Sequence, residues 1–169
     1  KYIVNDIDCP KVYCDPGLIV SRVFKFNVQK KYKYGIVPHY VDRNSPILDI
    51  LCKNPDFKIL NIEDDYYNFF NELNQCEYVF SSSLHGLIFS ISYMIPCNWI
   101  KFSNKIIGND FKFNDFFCSL NLNIKPSNAN MLINNINVLK ENSILVDTSS
   151  QQKKLITILS TSRTSLIAS

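Results

Sequence analysis

No stretch of this chain holds about 18 consecutive apolar residues, so a membrane-spanning helix is not expected. No signal peptide is expected either. The six cysteines, at positions 9, 14, 52, 76, 97 and 118, include no C-x-x-C pair. Their spacing fits neither a zinc site nor a compact disulfide scaffold, and they read as small buried hydrophobes. Histidine is scarce: His39 and His85 are the two present. Neither is read as having a carboxylate at ligand spacing, so no metal site is expected. A strongly basic face is also missing. The net charge is +3, which does not point to a nucleic-acid binder. The phosphate-loop pattern G-x-x-x-x-G-K-[ST] does not occur, and no internal repeat is visible.

The chain does have enough apolar residues to bury a core. Of its 169 residues, 46% are apolar, which suits one ordinary domain and argues against global disorder. It opens on Lys1, mid-pattern, so a fragment or a processed chain is expected. Asn, Ile and Lys are abundant throughout, which reads as codon bias rather than function.

The apolar pattern alternates. Residues 1–33 read as an N-terminal segment: a short strand at Val12–Tyr13, a turn at Asp15–Pro16–Gly17, a helical stretch to about Phe24, then a basic, polar linker. From Tyr34 onward strands are expected at 34–38, 57–62, 77–81 and 97–101. The first is followed by Ser45–Pro46, a helix cap and first position. The second leads into "EDDYYNFFNELNQC", with acidic residues in its first turn and Tyr66, Phe69, Phe70 and Leu73 at helical spacing. The third is followed by "LHGLIFSISYM", apolar on nearly every side and therefore buried, which Pro96 stops. Helical stretches near 112–120, 127–141 and 151–162 complete the chain. Strand and helix in alternation predict βαβ units and a Rossmann-like parallel sheet flanked by helices. The expected layout is a donor-binding domain over 34–145 and a C-terminal helix and tail over 146–169.

In such sheets ligands bind at the carboxyl ends of the strands, and both histidines fall at that edge. Ser81, Ser82 and Ser83 sit between a strand end and a helix start, where unpaired N–H groups and the helix dipole favour an anion. Plain capping needs one serine. Three serines with His85 and Gly86 favour a ligand site, with Gly86 allowing close approach. His85 is open to two readings, a structural residue or a group that donates to a phosphate or moves a proton near neutral pH. His39 is likewise either a turn residue or part of the cleft. From Val79 to Asn109 there is no Asp or Glu, which disfavours a ribose. Lys101, Lys105 and Lys112 follow, which fits a small, highly charged ligand. Lys112 stands three residues before Asp115, so it either pairs with it along a helix or reaches the ligand's carboxylate.

Four blocks in order, "VYCDPGLIV" (12–20), "YGIVPHYVD" (34–42), "SSSLHGLI" (81–88) with "YMIPCNWI" (93–100), and "GNDFKFNDFFCS" (108–119), resemble the polysaccharide pyruvyl transferase family. The resemblance implies a fold similar to the two-domain GT-B glycosyltransferases, with this chain covering the carboxyl-terminal domain. It also implies transfer of a pyruvyl group from phosphoenolpyruvate to a pair of sugar hydroxyls, forming a ketal and releasing phosphate. Phosphoenolpyruvate would be a substrate, no resident cofactor would be needed, and the other partner would be a saccharide or lipid-linked glycan. His85 would be the catalytic residue, and Ser81, Ser82, Ser83, Gly86, His39 and Lys112 would bind the donor. Some members carry Arg-Leu-His where this chain has Ser83–Leu84–His85, and a serine variant occurs in bacterial members. Cys14 replaces the Gly of the Gly-Asp-Pro segment. The expected location is cytoplasmic, with peripheral membrane association left open. Two other readings stand beside this one: a GT-B glycosyltransferase using a nucleotide sugar, similar to a sialyltransferase, and a donor-binding domain without chemistry.

Overall fold

The computed structural model describes residues 14–103 and 110–167, the last seven by backbone alone. The expected strand at Val12–Tyr13 lies outside them. A 3-10 turn, Pro16–Ile19, runs into a short helix, α1 (Val20–Val23). Five strands follow: β1 (Tyr32–Val37), β2 (Phe57–Ile59), β3 (Cys76–Ser81), β4 (Cys97–Lys101) and β5 (Ser127–Asn128). Helices α2 (Pro46–Leu51), α3 (Tyr66–Asn74), α4 (Leu84–Ser92) and α5 (Phe111–Ser119) lie in the crossovers. After β5 come α6 (Met131–Asn134), α7 (Ile136–Glu141) and α8 (Ser149–Ile167).

The sheet order is β2-β1-β3-β4-β5, and every pairing is parallel. All four expected strands are present: β4 has the expected bounds, and the other three have shifted ends. The expected helix over 127–141 is divided into β5, α6 and α7. Asparagines cause the division: Asn128 Oδ1 accepts the Asn130 N–H at 2.8 Å, a turn that competes with helix, and Asn135 leaves helical geometry at φ −147°.

Side-chain alternation along the strands serves two layers. Val37, Val79 and Trp99 point into one core, with Phe69, Phe70 and Leu73 of α3, Leu87, Ile88 and Ile91 of α4, and Phe113, Phe116 and Phe117 of α5. Ile36, Phe80 and Ile100 point into the other, with Leu48 and Leu51 of α2, Leu132 of α6 and Leu139 of α7. Helices therefore cover both faces, as parallel sheets require. Tyr66, expected on the buried stripe of α3, is 59% exposed and its ring rests on Phe24 at 5.3 Å.

The segment before β1 packs on α4. Asp15 Oδ1 accepts the Gly17 N–H at 2.7 Å, Leu18 is fully buried, and Ser92 donates its hydroxyl to the Leu18 carbonyl at 2.7 Å. A Cβ on Gly17 would lie 2.9 Å from Ile88 Cγ2, so glycine lets this turn lie flat on the helix. These contacts brace α4 along its length, and α4 carries the loop of greatest chemical interest at its amino end.

Candidate functional site

The strand order creates a crevice. The chain leaves β1 toward β2 on one side and leaves β3 toward β4 on the other. Between the carboxyl ends of β1 and β3 the two connections diverge, which is where open α/β sheets hold their ligands. The loop after β1 contributes Pro38 to Asp42, and the loop after β3 contributes Ser82 and Ser83.

The three serines are buried and have different hydrogen-bond duties. Ser81 Oγ lies 3.0 Å from the Val37 carbonyl and 2.7 Å from the Ser83 carbonyl, to which its hydroxyl can donate, and it accepts the Ser83 N–H at 3.0 Å. It is thus committed to shaping the loop. Ser82 Oγ accepts the His39 N–H at 2.9 Å and donates to Asp42 Oδ2 at 2.9 Å. Ser83 is the cap residue of α4 but makes no side-chain cap hydrogen bond. The first-turn N–H groups of Leu84, His85 and Gly86 are therefore left without a hydroxyl from the cap residue, at the carboxyl edge of the sheet.

His39 closes the β1 side. It precedes the 3-10 turn Tyr40–Asp42, its Nδ1 accepts the Val41 N–H at 3.5 Å, and its ring lies against Tyr40 at 4.4 Å. Burial and the nearby Lys112 ammonium push its pKa below the ordinary value, and the Asp42 carboxylate opposes them. The structure therefore brings His39, Ser82, Asp42 and Lys112 into one electrostatic neighbourhood. Lys112, half-buried in the first turn of α5, also lies 5.5 Å from the Phe113 ring centre. His85 is exposed in the first turn of α4, its ring stacked on Phe89 at 5.7 Å. Gly86 faces the sheet: a Cβ there would overlap Ser81 Oγ and come within 2.8 Å of Val37 Cγ1. Glycine at 86 thus seats α4 on β1 and β3. Among the other lysines, Lys101 pairs with Asp110 at 2.6 Å, and Lys105 lies outside the described residues.

Sequence reasoning missed two residues. Asp42 is 3% exposed, and its other oxygen, Oδ1, accepts the Ser103 hydroxyl at 2.6 Å. The run without Asp or Glu from Val79 to Asn109 is real in the sequence, but the β1 loop brings a carboxylate to the same place. Asp42 also stands three residues after His39, nearer than the sequence reading of the histidines allowed. Both oxygens are engaged by serine hydroxyls, which ties this carboxylate to the loops around it. The usable signal was positional: Asp42, Ser82 and Ser103 are polar residues just past three neighbouring strands.

A five-stranded parallel sheet flanked by helices, with a crevice at its switch point, is a Rossmann-like α/β fold. The family model for polysaccharide pyruvyl transferase matches residues 1–104, and the chain belongs to that family. It is 36% identical over 108 residues to the uncharacterized protein L143 of Acanthamoeba polyphaga mimivirus, covering 60% of this chain and 37% of that protein. It is 24% identical over 113 residues to the succinoglycan biosynthesis protein ExoV of Rhizobium meliloti (strain 1021), covering 66% of this chain and 35% of that one. The chain thus spans little more than a third of the length of the curated relatives it matches. No solved structure matches it. Among the described residues no helix is long and apolar enough to cross a membrane.

Proposed function

We propose that this chain forms the carboxyl-terminal, donor-binding domain of an enzyme that moves a pyruvyl group from phosphoenolpyruvate to a hydroxyl pair of a glycan. The observation that carries the reading is the uncapped amino end of α4 at the switch-point crevice, beside His39 and Lys112, in a chain of this family. The name of its relative ExoV, a succinoglycan biosynthesis protein, fits a polysaccharide acceptor.

Phosphoenolpyruvate carries a phosphate and a carboxylate, so it needs converging donors. The N–H groups of Leu84, His85 and Gly86 take the phosphate, and Ser81 and Ser82 fix the loop that presents them. Lys112 takes the carboxylate. The helix dipole alone contributes about 0.3–2 kcal/mol. Several charge-assisted hydrogen bonds at about 1.5–3 kcal/mol each reach the about 4–8 kcal/mol of a millimolar to micromolar ligand.

The chemistry balances without a resident cofactor. One glycan hydroxyl attacks the enol carbon as the methylene carbon gains a proton. The carbon–oxygen bond to phosphate breaks, and the second hydroxyl closes the ketal. Of the two hydroxyl protons, one ends on the new methyl group and the other leaves with phosphate. His85, exposed at the mouth of the phosphate loop, serves as the acid or stabilises the departing phosphate, a role worth about 10²–10⁴-fold in rate.

Calorimetric titration of the longer protein that contains this chain tests the reading. Phosphoenolpyruvate is expected to bind, and Lys112→Met to weaken it. Binding of a cytidine or uridine nucleotide with no response to phosphoenolpyruvate would replace this reading with a nucleotide-sugar glycosyltransferase.

A further inference from the structure

We infer that Asp42 is a positioning residue that holds the loops after β1, β3 and β4 in one arrangement and so fixes the loop that leads into the amino end of α4. Its link to donor binding rests on the function proposed above, whereas its link to loop order does not.

The geometry is a three-way junction. Asp42 Oδ2 accepts from Ser82 at 2.9 Å in the β3 loop, and Oδ1 accepts from Ser103 at 2.6 Å just beyond β4. Asp42 itself belongs to the β1 loop, whose turn closes as its N–H donates to the His39 carbonyl at 2.8 Å. Ser82 extends the junction one step by accepting the His39 N–H at 2.9 Å. Moving any one of these loops therefore breaks a bond to another.

Mere packing does not need this arrangement. A buried carboxylate is costly unless its oxygens are hydrogen-bonded, and an apolar side chain would fill the space without that penalty. The charge gives the junction direction. Ser82 stands one residue before Ser83, the cap of α4, so its hydroxyl is placed by the β1 loop and not by the helix. Here the Ser82 hydroxyl is drawn to Asp42. With Asp42 gone, Ser82 loses the acceptor for its hydroxyl proton, and the His39 N–H alone then ties it to the β1 loop. The loops also lose their shared register, and a displacement of about 1 Å in a reacting group can lower a rate about 10²-fold.

The test is Asp42→Asn in the longer protein, which keeps the side chain's size but can accept from only one serine through its single carbonyl oxygen. The first readout is amide hydrogen exchange over 38–42 and 82–86. The second is the donor KM and kcat of the folded fraction. Faster exchange in both loops, with kcat/KM for phosphoenolpyruvate lowered about 10²-fold, is expected. Exchange and kinetics matching the parent protein would overturn the inference, and so would tighter donor binding, because a carboxylate that merely repelled the anion would give that result. Should the variant fail to fold, Ser103→Ala removes one arm of the junction and decides: faster exchange in the β3 loop is expected, and exchange confined to residues around 103 overturns the inference. If the parent protein ignores phosphoenolpyruvate, faster exchange in both loops of Asp42→Asn still supports the junction while pyruvyl transfer fails.

Discussion

Gly86→Ala sets two effects of opposite sign against each other. Gly86 lies in the first turn of α4, and intrinsic helix propensity alone favours alanine by about 1 kcal/mol. The packing opposes it. A Cβ at this position would overlap Ser81 Oγ and approach Val37 Cγ1 and Cβ to 2.8 and 2.9 Å. Val37 is a fully buried strand residue and cannot swing away. Ser81 is fixed by its contacts with Val37 and Ser83. Relief must come from α4 lifting off the sheet or from Ser81 abandoning its bonds. Overpacking of this kind costs about 1–3 kcal/mol, and a displaced hydrogen bond adds about 0.5–1.5 kcal/mol. After the propensity gain, a net loss of about 1–3 kcal/mol is expected, which lowers the melting temperature by several degrees in a chain of this size. Urea unfolding followed by circular dichroism measures it, with donor affinity as a second readout. A Gly86→Ala protein more stable than its parent would refute the packing argument, because helix propensity would then have won.

Met94 follows the end of α4 at φ 56°, closing a turn in which the Ile95 N–H reaches the Ser90 carbonyl at 2.9 Å. Met94→Gly relieves that left-handed residue and should stabilise the protein by about 1 kcal/mol. Asn121→Gly, where asparagine already tolerates φ 60°, should gain less, and denaturant midpoints compare the two. Lys112→Met should raise the His39 pKa, followed by NMR titration of its ring protons, because it removes a nearby positive charge; an unmoved value would separate Lys112 from the site. The folded-state pKa of His39 lies below its ordinary value of 6.5, so the unfolded chain binds the proton more readily. Stability is therefore expected to fall as pH drops below that value, and His39→Gln should remove that part of the slope. Exposed Cys52 and Cys118 should react quickly with a thiol reagent, while Cys76 and Cys97, buried and with pKa values pushed up to about 12, should react only on unfolding.

The layered sheet was legible because its signals are local and periodic. Val37, Val79 and Trp99 alternate with Ile36, Phe80 and Ile100, and the helix of 84–92 has apolar residues on almost every side. β5 was not legible: a strand of Ser127 and Asn128 has no apolar pattern, and its existence depends on the exposed edge of β4. The crevice was legible in part. Three serines between strand and helix marked the place, but their hydrogen-bond duties depend on Asp42 and Ser103, about 40 residues before and 20 after in the chain, and no local pattern announces such contacts. Gly86 was read as allowing close approach of a ligand, whereas the contacts a side chain would make there are with Val37 and Ser81, which only the register of α4 over the sheet defines.

Pyruvyl transfer itself is tested most directly by following phosphoenolpyruvate in the presence of a saccharide acceptor and the full-length protein. Phosphorus NMR reads free phosphate, and proton NMR reads the methyl singlet of a ketal. Both signals are predicted to grow together, to require the acceptor, and to slow by about 10²-fold or more in His85→Ala. Phosphoenolpyruvate left intact by a folded protein that instead consumes a nucleotide sugar would contradict the assignment.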